Sequence, residues 1–134
     1  MYRRLITSTM VMVIGVIAIA MVLNVKQPTA VANVDTKYIK ININSGIHHA
    51  FARAFNCQHD RAMDPMEELA KNAKYLSDAE IERYMYAWND AIIQGLKYKA
   101  KDINESDGPA TAQMWYDMQI LIYQKRFTEL SWSN

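Results

Sequence analysis

The chain has 134 residues, 51% of them hydrophobic, with 15 basic and 14 acidic residues and a single cysteine. That length supports one modest hydrophobic core. A near-neutral charge without a basic patch gives no support to nucleic-acid binding, and one cysteine excludes an internal disulfide.

The N-terminus dominates the reading. From Leu5 to Val25 the sequence holds 21 uncharged residues between Arg3-Arg4 and Lys26, and Met10 to Leu23 is unbroken apolar sequence. A membrane span needs roughly 20 apolar residues and a signal-peptide core about 7–15, so the segment satisfies both readings. The arginine pair marks the cytoplasmic end, which places everything after Lys26 outside the cytoplasm. Pro28 then breaks the helix. Ala30-Val31-Ala32 offers the small-x-small pattern that signal peptidase cuts after, with Asn33 as the new N-terminus. Without a cut, the helix stays as a tether. Gly15, Ala18 and Ala20 make it weakly apolar, able to be cut or to slip from the bilayer. Residues 1–32 are therefore expected to be a signal peptide or a signal-anchor-release segment, and 33–134 a helical periplasmic domain. That domain keeps 12 basic residues against all 14 acidic ones.

The first outer helix is expected over about Asp35 to Phe55, because Ile39, Ile43, Ile47, Ala50, Phe51, Ala54 and Phe55 fall at helical spacing. Ile-Lys-Ile-Asn-Ile-Asn at residues 39–44 alternates strictly and competes as a strand, but no partner strand is visible. Gly46 inside this helix costs about 1 kcal/mol relative to Ala and suggests close approach of another helix. The second helix is expected to start with Asp64 as N-cap and Pro65 in the first position, and to end near Leu76. Met66, Leu69, Ala70 and Ala73 form its inner face. Ser77-Asp78-Ala79-Glu80 is a capping box for the third helix. Its stripe is Ile81, Tyr84, Met85, Trp88, Ala91, Ile92 and Gly95, and it is expected to reach about Lys101. Asn104 to Pro109 reads as a loop, with Asp107-Gly108-Pro109 as its turn. The fourth helix is expected from about Ala110 to Leu130. It is apolar on two adjacent sides: Met114, Met118, Leu121, Ile122 and Lys125 on one, Tyr116, Ile120, Tyr123 and Phe127 on the other. So wide an arc calls for neighbours on both sides, and another protein, a homodimer included, is open as one of them. Trp132 lies beyond the last stripe and is a candidate for surface contact. The fold class that results is all-α: an N-terminal transmembrane or signal helix followed by a small bundle of about four helices.

The chemistry is sparse. There is no P-loop, no Gly-x-Ser-x-Gly and no paired-cysteine zinc motif, so no catalytic residues are assigned and a binder is expected rather than an enzyme. His48, His49, Cys57 and His59 suit zinc or copper as donors. Their spacing is unlike a zinc finger, and adjacent histidines point about 100° apart on a helix, so no metal and no cofactor is assigned. Glu67-Glu68 reads as helix N-terminal charge.

Two short runs carry a resemblance. Ala32-Asn33-Val34-Asp35 follows the apolar segment, and Ser45-Gly46-Ile47-His48-His49 follows a short helical stretch later. The pattern resembles the lysis-inhibition antiholins of T-even-type phages, which pair a signal-anchor-release segment with a helical periplasmic domain. It covers about 18 residues plus the topology. Here the chain is longer by about a helix, and it has one cysteine where a member of that family carries a pair. The resemblance implies that the domain binds the periplasmic domain of the phage holin and delays lysis from the host periplasm, first tethered to the inner membrane through residues 5–25. Ile47, His48, Phe51 and His49 are then the expected partner-binding residues, with Phe55 directed to the core. Two other classes share the same features: a periplasmic immunity or inhibitor protein acting on a toxin, and a membrane-tethered accessory subunit of an envelope complex.

Overall fold

Asp35 opens the first helix by accepting a hydrogen bond from the Lys37 N–H at 3.0 Å, an N-cap in its preferred form. The computed structural model describes residues 35–134. The expected cleavage site at Ala30 and Ala32 and the apolar segment 5–25 lie outside the described residues. Among the described residues there are four α-helices and no strand: α1 (Thr36–Phe55), α2 (His59–Lys71), α3 (Asp78–Asp107) and α4 (Pro109–Thr128), with a 3-10 turn at Ala73–Tyr75 between α2 and α3. No helix among them is long and apolar enough to cross a membrane.

The strand reading of residues 39–44 fails for a packing reason. Ile39 and Ile43 are buried while Ile41 is half exposed, as helical spacing requires. α1 stops in a Schellman closure: the Gln58 N–H donates to the Arg53 carbonyl at 2.8 Å and the Cys57 N–H to the Ala54 carbonyl at 3.1 Å. Cys57 holds the left-handed position, φ 58°, that glycine usually takes there.

α2 begins at His59, five residues before the expected Asp64 cap, so Pro65 sits inside the helix. Pro65 cannot donate to the Arg61 carbonyl, which normally strands that oxygen. Here Arg53 Nη1 of α1 donates to it at 3.1 Å. The proline ring faces Gly46, where an added Cβ would stand 2.8 Å from Pro65 Cβ. Gly46 thus admits the ring, as its place in the helix suggested. α2 also ends early, at Lys71, and the 3-10 turn carries the chain to Leu76.

The capping box at Ser77 and Glu80 is present in both directions, and α3 then runs 30 residues to Asp107. The expected loop at 104–109 shrinks to Gly108 alone, φ 89°, with Pro109 already in the first turn of α4. α3 therefore outlasts its neighbours. Lys40 of α1 meets Glu80 at 2.5 Å, and Gly95 meets the backbone of Phe51, so α1 and α3 run in the same direction. α2 and α4 run opposite to them. α1 reaches its end beside Lys99, and α2 starts beside Gln119 of α4. Beyond those levels α3 and α4 continue as a two-helix arm of roughly 12 Å, from the 1.5 Å rise per residue.

The core gathers Ile43, Met63, Met66, Leu69, Trp88, Ile92, Leu96, Tyr123 and Phe127. Trp88 is its centre: its ring stacks on Phe127 at 5.8 Å and meets Tyr123 edge-on at 6.3 Å. Its Nε1 donates to the Ala62 carbonyl at 2.8 Å. The C-terminal tail folds back, with the Ser133 N–H on the Ala70 carbonyl at 2.9 Å and the Trp132 ring 6.0 Å from Phe127. Trp132 therefore packs against the core instead of standing free for surface contact. Burial also pushes the Tyr123 phenol well above its ordinary value.

Candidate partner-binding surface

Ile47, Phe51 and Phe55 lie four residues apart on α1, each about 40° round from the last. That drift divides them. Ile47 packs against the core. Phe51 is 37% exposed. Phe55 stands half-buried with the Lys99 ammonium 5.2 Å from its ring centre. The expectation of Phe55 in the core and Ile47 nearer the surface is thus reversed: the helix turns its N-terminal isoleucine inward and its C-terminal aromatics toward the α3 edge.

Gly95 builds this edge. A Cβ there would fall 2.4 Å from the Phe51 carbonyl oxygen and 3.0 Å from Ala54 Cβ, so the two helices touch backbone to side chain. One turn later, Tyr98 lies against Phe51 with ring centres 5.4 Å apart at 68° and remains 58% exposed. Edge-on aromatic pairs of this kind add about 0.5–1.5 kcal/mol beyond their buried area. Phe51, Phe55, Tyr98 and Lys99 form one aromatic and cationic surface across the α1–α3 crossing. Lys97 and Lys101 flank it in sequence.

His48 is exposed and falls on the same side of α1 as Phe51 and Phe55. His49 is exposed too, but it turns a further 100° to the back of the helix, touching only the edge of the His48 ring at 5.3 Å. The structure thus brings Phe51 and His48 to one surface, tucks Ile47 beneath it and sends His49 away. Tyr98 and Lys99 escaped the sequence reading because they lie one turn beyond Gly95, the last position of the apolar stripe of α3, where its spacing is continued by a polar side chain at Lys99. The signal was there, as an aromatic inside a Lys-Tyr-Lys run one turn after a helical glycine.

A second concavity of about 620 Å³ opens between α2 and α4, lined by His59, Met63, Glu67, Lys125, Arg126 and Glu129 among others. His59 Nε2 is hydrogen-bonded to the buried Gln119 Oε1, and Arg126 pairs with Asp60, which holds that carboxyl below its ordinary range. The imidazole is therefore occupied by a structural partner. Among the described residues no three His, Cys, Asp or Glu side chains converge to hold a metal ion. His48 and His49 sit on α1, Cys57 in the following turn, and His59 against α4.

The chain matches no protein-family model, no curated protein and no solved structure.

Proposed function

We propose that this protein is a lysis-inhibition antiholin: exported by residues 1–32, tethered or released on the outer face of the inner membrane, and binding the periplasmic domain of a phage holin. The observation that carries the reading is the exposed Phe51–Tyr98 pair at the α1–α3 crossing. A small bundle of this kind gains little by leaving two aromatic rings in water, whereas an inhibitor uses such rings as anchors in a partner's apolar pocket. The antiholin-like runs support it by position. Asp35 of the first run caps α1, and Ser45–His49 lies in the middle of the same helix, immediately before Phe51. Lys99 over Phe55 adds a cation at the rim, suited to an apolar surface edged with carboxylates.

The test is lysis timing in bacteria that express a T-even-type holin and endolysin together with the full chain. The wild type is expected to delay lysis. Phe51→Glu and Tyr98→Glu, each present at wild-type level in the periplasmic or inner-membrane fraction, are expected to lose the delay. No delay by the wild type, or an unchanged delay with both variants, contradicts the proposal.

A further inference from the structure

One end of the bundle gathers the start of α1, the start of α3 and the 3-10 turn between α2 and α3, since Lys40 near the start of α1 pairs with Glu80 in the first turn of α3. Two apolar side chains stand outward on the first two turns of α1: Tyr38 is 69% exposed and Ile41 50%. They lie three residues apart, so they share one side of the helix, while Ile39 and Ile43 are buried on the other. The same end carries cations. Lys37 and Lys71 are exposed, and the Lys74 ammonium stands 5.1 Å from the ring centre of Tyr75. The carboxylates there belong to the helix starts: Asp35 caps α1, and Asp78 and Glu80 lie in the first turn of α3.

The chain that precedes the described residues says what lies opposite. The uncharged run ends at Val25, and residues 26–34 carry the chain from there to Asp35, a reach of at most about 35 Å fully extended. The start of α1 is therefore the part of the domain tied closest to that run. Phe51 lies about 24 Å further along α1, at 1.5 Å per residue. The Cα–Cβ bonds of a helix tilt toward its N-terminus, so Tyr38 and Ile41 lean back toward the run that precedes them. Tyrosine settles at membrane–water interfaces, with its ring at headgroup level, and lysine lays its apolar stem there with the ammonium among headgroups.

We propose that this end of the domain docks on the phospholipid surface of the inner membrane, with Tyr38 and Ile41 entering the headgroup layer and Lys37, Lys71 and Lys74 against anionic lipid phosphates. The proposal rests on reading residues 5–25 as a membrane tether, and it adds an orientation to that tether. Ile41 lies about 9 Å along the axis from Asp35, and the headgroup layer is roughly 5–7 Å deep, so a side chain leaning toward the bilayer closes the difference. α1 and α3 then rise from the membrane. The Phe51–Tyr98 surface is held above the lipid, open to a partner, and the α3–α4 arm points away.

Fluorescence quenching in proteoliposomes tests it. The full chain with Cys57→Ser carries one nitrobenzoxadiazole label in each of three variants. These are Ile14→Cys in the apolar run, Asn42→Cys beside Ile41, and Met114→Cys on the arm, where Met114, Met118 and Leu121 form an exposed apolar row. The vesicles are phosphatidylethanolamine and phosphatidylglycerol, with lipid brominated near the headgroup end of its acyl chains. Bromolipid is expected to quench the labels at 14 and 42 but not the one at 114. Quenching at 42 is expected to fall several-fold when Lys37→Glu and Ile41→Asp are added, both at exposed positions, and when phosphatidylcholine replaces phosphatidylglycerol. A quenched label at 14 with an unquenched label at 42 would overturn the docking and leave the tether standing. An unquenched label at 14 would overturn both. A label at 42 shielded from water yet unquenched would place a protein, a second copy included, on this face and overturn the proposal. Equal quenching at 42 and 114, or indifference to the substitutions and to the anionic lipid, would overturn it as well.

Discussion

Trp88 joins three helices through one side chain: it fills the space between α2, α3 and α4 and supplies a donor to the Ala62 carbonyl. It is fully buried. Trp88→Ala is expected to destabilise the domain by about 3–5 kcal/mol, from lost contacts and the cavity left behind. Trp88→Phe keeps most of the ring but removes the donor, and is expected to cost about 1–3 kcal/mol. Equilibrium denaturation of both variants checks the order. Phe51 contrasts with it. Its ring is more than half buried as well as paired with Tyr98, and Phe51→Ala is expected to cost about 2 kcal/mol of stability, less than Trp88→Ala. Gly95→Ala is the severe change at the same place, because the clash is with the Phe51 carbonyl, which cannot rotate away. Cys57 offers the opposite sign. Its left-handed backbone costs about 1 kcal/mol or more in a residue with a Cβ. Cys57→Gly is therefore expected to raise the melting temperature, offset in part by the greater freedom of glycine in the unfolded chain. At this scale the sequence made Trp88 legible, since it sits in the middle of a clean stripe. It placed Phe55 in the core and left Phe51 between core and interface, because a 40° drift per turn decides between core and rim and depends on where α3 crosses.

Among the helices, α3 is the most plainly encoded at its start and the least at its end. The capping box satisfies two N–H groups reciprocally, and Ser77→Ala is expected to cost about 1 kcal/mol. Glu80 also meets Lys40, and that hydrogen bond holds its carboxyl below the ordinary 4.5. A depressed carboxyl stabilises the fold above its unfolded value. That contribution is lost as the pH falls through the folded value. Stability is thus expected to decline on acidification below about pH 4.5, and less steeply in Glu80→Gln, as pH-dependent urea melts would show. The effect is small because the pair is largely solvated. The end of α3 was hidden because Asn, Asp and Gly read as loop. Packing against α4 carries the helix through to Asp107, and a single glycine makes the whole turn. The start of α2 was hidden by the opposite rule. Proline usually marks a first turn, but Arg53 satisfies the orphaned carbonyl and Gly46 makes room for the ring. Both compensations come from α1, a long-range fact that no local pattern contains.

At the scale of the whole molecule, the two parallel helices α1 and α3 carry the aromatic surface, and the α3–α4 arm carries the apolar row. Helicity and the number of outer helices followed from periodicity and from the lack of turn signals. Which of the two faces of α4 turns inward did not, because both are apolar and only the three-dimensional closure of the bundle chooses between them. The proposed export by residues 1–32 is also tested at this scale. If residues 1–32 deliver the domain beyond the inner membrane, a C-terminal alkaline phosphatase fusion to the full chain is expected to be active, and a cytoplasmic reporter in its place silent. The most direct measurement is capture of the periplasmic domain of a T-even-type holin by the full-length protein in detergent, beside Phe51→Glu, Tyr98→Glu and Met118→Glu. Retention by the wild type and by Met118→Glu, with loss in Phe51→Glu and Tyr98→Glu, is the predicted result. Failure of the wild type to retain the holin domain, or equal retention by all four proteins, would contradict a binding surface at the α1–α3 crossing.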